Sequence, residues 1–367
     1  MSRIYELIAQ LCPRGVAFKT LGDVLGYEQP TKYLVASTAY DNAYETPVLT
    51  AGQTFVLGYT DETDGVYPAS PDTPAVIFDD FTTAFKWVDF PFKAKSSAMK
   101  MLTPKSEAEI DFKYVFYVMQ TIRYEPQDHA RQWIGTYSRF RVPIPPVEVQ
   151  REIVRILDLF TSLEAELEAE LEKRRQQYAH YRDALLTVPQ QLGVRVVPMG
   201  ELTVGISSGK NKLRSTIGAY PVYGSTGLLG FADQAPYSGE MLLVARVGAY
   251  AGLVKWVSGD FDVSDNTLIV RTTGEWDVRF AFHQLAHLNI NQYAKGGGQP
   301  LVTAGLLKRL EIPVPPLAEQ QRIANILDKF DVLTTDHTVG LPAEINARRQ
   351  QYEFYRDRLL AFEEAAA

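Results

Sequence analysis

Two of the five histidines in this 367-residue chain, His283 and His287, stand four apart. On a helix that spacing puts both imidazoles on one face, where they could chelate a metal. No cysteine or carboxylate ligands are evident beside them, so an ordinary surface helix pair is the expectation. Asp79 and Asp80 form a carboxylate pair behind the apolar run AVIF, but without the lysine at short spacing that nuclease chemistry would want. KGGGQ, from Lys295, has a superficial look of a phosphate cradle. It lacks the preceding strand and the register of a nucleotide loop, and reads instead as a flexible loop whose bare backbone can approach a ligand closely. GxxxxGK[ST], HExxH and GxSxG are all missing from the sequence. The single cysteine, Cys12, can make neither an internal disulfide nor a Cys-rich zinc site. No catalytic residue and no metal ligand is assigned.

Composition sets the outer limits. Hydrophobic residues at 46% and charged residues at 22% describe a globular chain rather than a disordered one. Its length predicts two or three domains. No apolar run reaches the roughly 20 residues that cross a bilayer, and the opening MSRIYELIAQLCPRG is not built like a signal peptide. A cytoplasmic protein without membrane contact is expected. The net charge of −7 speaks against nucleic acid at first sight. Yet Met1–Phe140 carries thirteen basic against seventeen acidic residues, while Val188–Lys308 carries ten against eight. Charge leaves DNA open.

The chain repeats itself. RFRVPIPPVEVQREIVRILDLF, from Arg139, returns as RLEIPVPPLAEQQRIANILDKF from Arg309, and RRQQYAHYRDALL, from Arg174, returns as RRQQYEFYRDRLL from Arg348. GVAFKTLGDVLGY, from Gly15, has a looser echo in GVRVVPMGELTVG from Gly193. Each half is a variable stretch followed by a near-constant tail. The tails read as helices that start after Pro145-Pro146 and Pro315-Pro316. Apolar residues fall at Ile153, Ile156, Phe160, Leu163, Leu167 and Leu171, then at Tyr178, Tyr181 and Leu185. That is a coiled-coil seam with a stutter, on the order of 50 Å long. The second tail shows Ile323, Ile326, Phe330 and Leu333, breaks at Gly340-Leu341-Pro342, and resumes with Ile345, Tyr352, Tyr355 and Leu359. Narrow, matched seams make each helix the natural partner of the other, antiparallel, in a pseudo-two-fold molecule.

The variable stretches are expected to be β-rich. TPVLTAGQTFVLGYTDE and YPVYGSTGLLGFADQ each set a glycine-containing turn between apolar runs. FKWVDFPF, from Phe85, is echoed by LVKWVSGDF from Leu253, and helices are expected near Glu107–Gln120 and Trp276–Leu288. The fold class that follows is α+β: two β-rich mixed α/β domains separated by two long helices. Expected boundaries are 1–142, 143–188 (central helix), 189–312 and 313–367 (C-terminal helix).

This order of parts resembles the specificity subunit of type I restriction-modification systems. The resemblance rests on the doubled PxPPxxxQ helices with YRDxLL, on YGSTG at Tyr223 and SDNTL at Ser264, and on DDFTTAFKWVDFPFKAKSSAMKM from Asp79. The tandem LEAE over Leu163–Glu170 is similar to the short repeat of the C-type subgroup. The likeness spans nearly the whole chain apart from the first dozen residues and the final EEAAA. It implies a non-catalytic reader of double-stranded DNA, each variable domain taking one half of a bipartite site while the helices set the spacing. Two methyltransferase subunits would dock on the helices, joined by two translocating restriction endonuclease subunits where the system has them. No cofactor is expected in this chain; S-adenosylmethionine, ATP and Mg would belong to the partners. A coiled-coil protein-binding scaffold is the alternative, and a single-chain DNA methyltransferase or nuclease a more distant one.

Under that resemblance, base-edge chemistry selects polar side chains. In the first domain these are Thr50, Gln53 and Thr54 at the turn, the segment Lys93, Lys95, Ser96, Ser97 and Lys100, and His129, Arg131 and Gln132 before Trp133, which is expected to pack rather than stack on a base. In the second they are Lys210, Asn211, Lys212, Ser225, Thr226, Arg246, Lys295 and Gln299. The repeated Arg174, Arg175, Tyr178, Tyr181 and Arg182, with Arg348, Arg349, Tyr352, Tyr355 and Arg356, are too alike to serve two different half-sites. They are assigned to partner docking.

Overall fold

A computed structural model describes residues 2–52, 54–127, 130–187, 194–212, 215–295 and 300–366. Among these the helices are α1 Ser2–Leu11, α2 Leu21–Val24, α3 Phe112–Met119, α4 Gln132–Gly135, α5 Val147–Leu186, α6 Val278–His287, α7 Ala304–Leu307, α8 Leu317–Thr335 and α9 Leu341–Leu359. The chain divides into two compact units, one of residues 1–166 with 346–367, the other of 167–345. Both α5 and α9 are therefore shared out between the units.

The first unit holds β1 Ala17–Thr20, β2 Leu25–Glu28, β3 Thr46–Leu49, β4 Val56–Thr60, β5 Ala75–Asp79, β6 Phe85–Val88, β7 Lys93–Ala94, β8 Met99–Pro104 and β9 Arg141–Ile144. They form a sheet ordered β2-β8-β5-β6, a second ordered β4-β3-β7, and the pair β1-β9. The second unit holds β10 Arg195–Pro198, β11 Thr203–Ser208, β12 Tyr220–Gly224, β13 Gly227–Ala232, β14 Tyr237–Ser238, β15 Met241–Ala245, β16 Val254–Val257, β17 Asp260–Val263, β18 Thr267–Thr272 and β19 Glu311–Val314. Its sheets run β11-β18-β15-β16, β13-β12-β17-β14 and β10-β19. The correspondence is element for element. Even β14, which pairs Tyr237 with Phe261, has its counterpart in the isolated Tyr67–Phe92 bridge. In each second sheet one pair is parallel, β3 with β7 and β12 with β17, and each hairpin carries a bulge. The expected turn-containing hairpins are β3–β4 and β12–β13, and the two Lys-Trp-Val echoes are β6 and β16.

Each central strand is apolar on both faces because it is sandwiched. Ala75, Val76, Ile77 and Phe78 of β5 are fully buried, as are Leu242 and Val244 of β15. Trp133 is buried against Phe78 and Tyr137, packing as expected. The first dozen residues have no echo in the repeat and lie outside the family resemblance. They form α1, whose Ile4 joins the first unit's core, and the final residues pair back on Val16 through Glu363 and Ala365.

Two glutamines fasten the helices to their domains in the same way. Gln150 of α5 accepts from the Asp111 N–H at 2.8 Å and donates to the Pro145 carbonyl at 2.7 Å. Gln320 of α8 accepts from the Asp277 N–H at 2.9 Å and donates to the carbonyls of Pro315 and Glu275. Asp111 and Asp277 in turn cap α3 and α6. The start of each long helix buries a face broader than a coiled-coil seam, with Val149, Ile153 and Leu157 in one unit and Ile323, Ala324 and Leu327 in the other. The seam then takes over. In the first unit Phe160 stacks on Tyr355 and Glu164 pairs with Arg349 at 2.5 Å, so α5 and α9 run antiparallel there. In the second, Tyr178 and Tyr181 both stack on Phe330 of α8. The break anticipated near Gly340 is the turn 336–340 between α8 and α9, where a side chain on Gly340 would strike the Val332 carbonyl.

Candidate nucleic-acid interface

In the second unit, loops from five places in the sequence are laced around Ser264–Thr267. The N–H groups of Lys210 and Asn211 both donate to the Val263 carbonyl at 3.0 Å, and the Asn211 side chain donates to Asp262. Ser225 Oγ and the Arg246 N–H both donate to the Asn266 carbonyl at 2.9 Å. Val302 N–H donates to the Arg246 carbonyl, and Lys295 pairs with Leu301 across the neighbouring loop. Gly209 is required here because any Cβ would collide with the carbonyls of Val263 and Ser264. The arrangement gathers Lys210, Asn211, Lys212, Ser225, Thr226, Arg246 and Lys295 at one end of the two sheets. Lys210, Lys212, Thr226 and Lys295 are exposed. Arg246 is half-buried, its guanidinium 3.5 Å from Ser208 Oγ. Gln299 lies outside the described residues.

Sequence reading missed two supports of this cluster. Asn266, inside the SDNTL motif, supplies the carbonyl that joins Ser225 to Arg246. Lys255 of β16 donates from Nζ to the Thr226 carbonyl at 2.7 Å and so holds the Ser225-Thr226 turn. The only advance signal for Lys255 was its place in the Lys-Trp-Val echo.

The first unit builds the same cluster from different side chains. Lys95 N–H donates to the Leu49 carbonyl, Asp80 N–H to that of Ala98, and Gln132 N–H to that of Asp80. Thr54, Lys95, Ser97 and Arg131 are exposed, and Thr50 and Ser96 half-buried. Gln53 and His129 lie outside the described residues. Three assigned DNA contacts must be corrected, because the fold points them inward. Lys93 is buried, with Nζ on Glu62 at 2.8 Å and the Asp64 carbonyl at 2.6 Å. Its hydrogen bond holds the Glu62 carboxyl below the usual range. Lys100, only 1% exposed, lies 3.0 Å from Asp80 and over the Tyr27 ring. A buried charge stays charged only when paired, so neither lysine has an ammonium to spare for phosphate. Gln132 is buried too, accepting from the Tyr124 hydroxyl and donating to the Ala130 carbonyl. Asp79 and Asp80 are equally committed: Asp79 accepts from the N–H groups of Phe81 and Thr82, Asp80 from that of Trp133.

The His283/His287 pair faces carboxylates, not a metal cage. His283 Nε2 sits 2.6 Å from Asp328, and His287 3.5 Å from Asp183. Burial holds the His283 imidazole below its ordinary value, outweighing the Asp328 bond that would raise it. Among the described residues no three His, Cys, Asp or Glu side chains gather as a metal site, and no helix is long and apolar enough to cross a membrane. Cys12 is buried, which pushes its thiol up.

The repeated helix residues split into two kinds. Tyr178 and Tyr181 stack on Phe330, Tyr355 stacks on Phe160, and Tyr352 donates to Gln120 at 2.7 Å. For the tyrosines, helix pairing alone explains the likeness. Arg174 reaches Glu170 and Gln177, Arg348 reaches Gln351, and Arg349 reaches Glu164. Arg182 and Arg356 fold over the rings of Tyr178 and Tyr352, one turn earlier, and pair with the adjacent Asp183 and Asp357. Arg175 is exposed.

Two polar loop clusters on duplicated scaffolds, fastened to paired helices, describe a two-module protein. Sequence comparison agrees. The profile of the type I restriction modification DNA specificity domain matches residues 13–173 and 205–347. The specificity subunit of the type I restriction enzyme EcoR124I/EcoR124II of Escherichia coli is 41% identical, over 95% of this chain and 94% of that one. The EcoprrI specificity subunit, also from Escherichia coli, is 34% identical over 55% of each chain. The chain belongs to the family of type I restriction-modification DNA specificity subunits. Its fold is shared with the type I S subunit of M. genitalium, with a TM-score of 0.67 at 14% identity over 94% of this chain and 96% of that one. A chain from a structure of complex assembly and conformational transition in a type I system aligns with a TM-score of 0.54 at 16% identity, over 95% and 98%. As a member of that family the chain is a specificity subunit, the DNA-recognition part of a type I restriction-modification system and not its catalytic one.

Proposed function

We propose that each unit reads one half of a bipartite, asymmetric DNA sequence through its loop cluster, Lys210–Lys212, Ser225-Thr226, Arg246 and Lys295 in one case and Thr50, Thr54, Lys95–Ser97 and Arg131 in the other. One observation carries this reading: matched backbones present the two clusters at matched positions with unlike side chains. Loops that differ on a constant frame are what two different half-sites require. The helices set the distance between half-sites, and their exposed repeated arginines, Arg175 above all, dock two methyltransferase subunits. Those partners bring S-adenosylmethionine and the methylation chemistry, and endonuclease subunits, where the system has them, bring ATP and Mg. They also supply phosphate contacts that a chain of net charge −7 lacks. The complex works in the cytoplasm.

Exchanging Met1–Phe140 for the corresponding segment of a related subunit tests the reading. Methylation-sensitive sequencing of a host carrying the chimera should show one half of the motif changed and the other retained. Changes in both halves would mean that readout is shared between units.

A further inference from the structure

One side chain in each unit touches three elements at once. In the second unit the Arg279 guanidinium of α6 lies 4.2 Å over the Trp256 ring of β16, the edge strand of the sheet that carries Arg246 at the end of β15. The same guanidinium grips Asp328 of α8 with two bonds, 3.0 and 2.5 Å. His283, one turn along α6, adds its own bond to Asp328. In the first unit Lys113 of α3 lies 4.8 Å over the Trp87 ring of β6 and 3.7 Å from Asp158 of α5. There Tyr117, again one turn along, donates to Asp158. The three positions match across the repeat, tryptophan on the edge strand, cation on the short helix, aspartate on the long helix. Only the cation and the fourth residue differ in kind.

We infer that these tryptophan–cation–aspartate relays are positioning devices that lock each DNA-reading sheet at a fixed angle on its long helix, and that they thereby decide how strictly the subunit enforces half-site spacing. The inference rests on the proposed bipartite reading. A sheet resting only on apolar contacts can rock on its helix, since apolar packing has no direction. A guanidinium has direction. It is planar, stacks on an indole face and offers a fixed two-pronged grip to a carboxylate, whereas an ammonium is a point charge that holds the same partners from many angles. The second unit therefore carries the tight relay and the first the loose one. Slack in spacing arises mainly in the first.

The natural test converts each relay into the other. Arg279→Lys and Lys113→Arg are made in the full chain and assembled with the methyltransferase subunits. Methylation rates are measured on duplexes whose half-sites are unchanged and whose spacer is native, one base pair shorter or one longer. Relative to wild type, Arg279→Lys should lower the native-to-altered spacer ratio about fivefold, the weight of one cation–π contact, and Lys113→Arg should raise it. Asp328→Asn should lower it as well. A residue that merely stabilises the fold would reduce the rate on every spacer alike, leaving the ratio fixed. Ratios within about twofold of wild type for all three variants, with or without a fall in overall rate, would overturn the relay. A wild-type complex with no preference among spacers would overturn the bipartite reading itself.

Discussion

Replacing Gln320 with alanine should cost the second unit more stability than any surface change of equal size. The side chain is fully buried and makes three hydrogen bonds, all to backbone, so its loss strands the Asp277 N–H and the carbonyls of Glu275 and Pro315 together. A buried polar group left without a partner costs about 1–3 kcal/mol, and the carbonyls less than the N–H because an unmet carbonyl is better tolerated. Some rehydration reaches these groups, since Glu275 is exposed and Asp277 half-buried, so a total of about 3–5 kcal/mol is expected. For a unit of this size that is a fall of roughly 10 °C in Tm. Gln150→Ala strands only two groups, the Asp111 N–H and the Pro145 carbonyl, and should fall less, by about 2–4 kcal/mol. Gln320→Glu retains the acceptor for Asp277 but turns a carboxylate toward two carbonyl oxygens; at neutral pH it should be no better than alanine. Calorimetry of the full-length variants gives the order, and amide exchange in α6 locates the damage. Gln320→Ala unfolding within about 2 °C of wild type, or Gln150→Ala proving the worse of the two, would refute the reasoning.

Three further outcomes are expected. His283 is held below its ordinary value of 6.5, so the unfolded chain takes up the proton first. Its contribution is present above pH about 6.5 and lost as pH falls toward the folded value; Tm should drop between pH 7 and 5, and His283→Gln should flatten that slope. A third LEAE after Glu170 adds about 6 Å and turns the helix by about 40° beyond a full turn, nearly preserving the seam. Methylome mapping should then show the spacer longer by one or two base pairs with both half-sites unchanged, and an unchanged spacer at full activity would end the ruler idea. Arg175→Glu should weaken methyltransferase assembly in size-exclusion chromatography at unchanged Tm, since Arg175 is exposed, and normal assembly would remove Arg175 from docking.

The duplication, the strand-rich domains and the paired helices were legible because repeats and apolar periodicity survive in one dimension. The inward lysines were not. In FKAKSSAMK every lysine looks like surface, and only the pairing of β5 with β8 shows that Lys100 faces Asp80, twenty residues earlier in the chain. The same limit applied to His283, whose carboxylate partner is 45 residues away on another helix. The glutamine of PxPPxxxQ was visible as a repeated letter, while its work, tying off the backbone ends of two other segments, required the fold. The opening helix was overlooked because it has no echo in the second half.

The division of α5 and α9 between units changes what the repeat means. By sequence order the central helix belongs to the domain before it. By packing, its first half does, through Val149, Ile153 and Leu157, but its second half joins the next domain, where Leu186 enters the core and Tyr178 and Tyr181 stack on Phe330. The C-terminal helix repays this in the first unit, where Leu359 and Leu360 are core residues and Tyr355 meets Phe160. Each unit is thus completed by the tail of the other half-copy. RRQQY and YRD then have a reason to stay alike: each fits the seam of a partner built on the same plan, and neither touches the loops that differ. The tyrosines carry that pressure, and so does Arg349 through Glu164, while Arg182 and Arg356 cover the rings of Tyr178 and Tyr352. The exposed Arg175 is the part of the repeat that packing leaves unexplained, and it is the part a shared partner would account for.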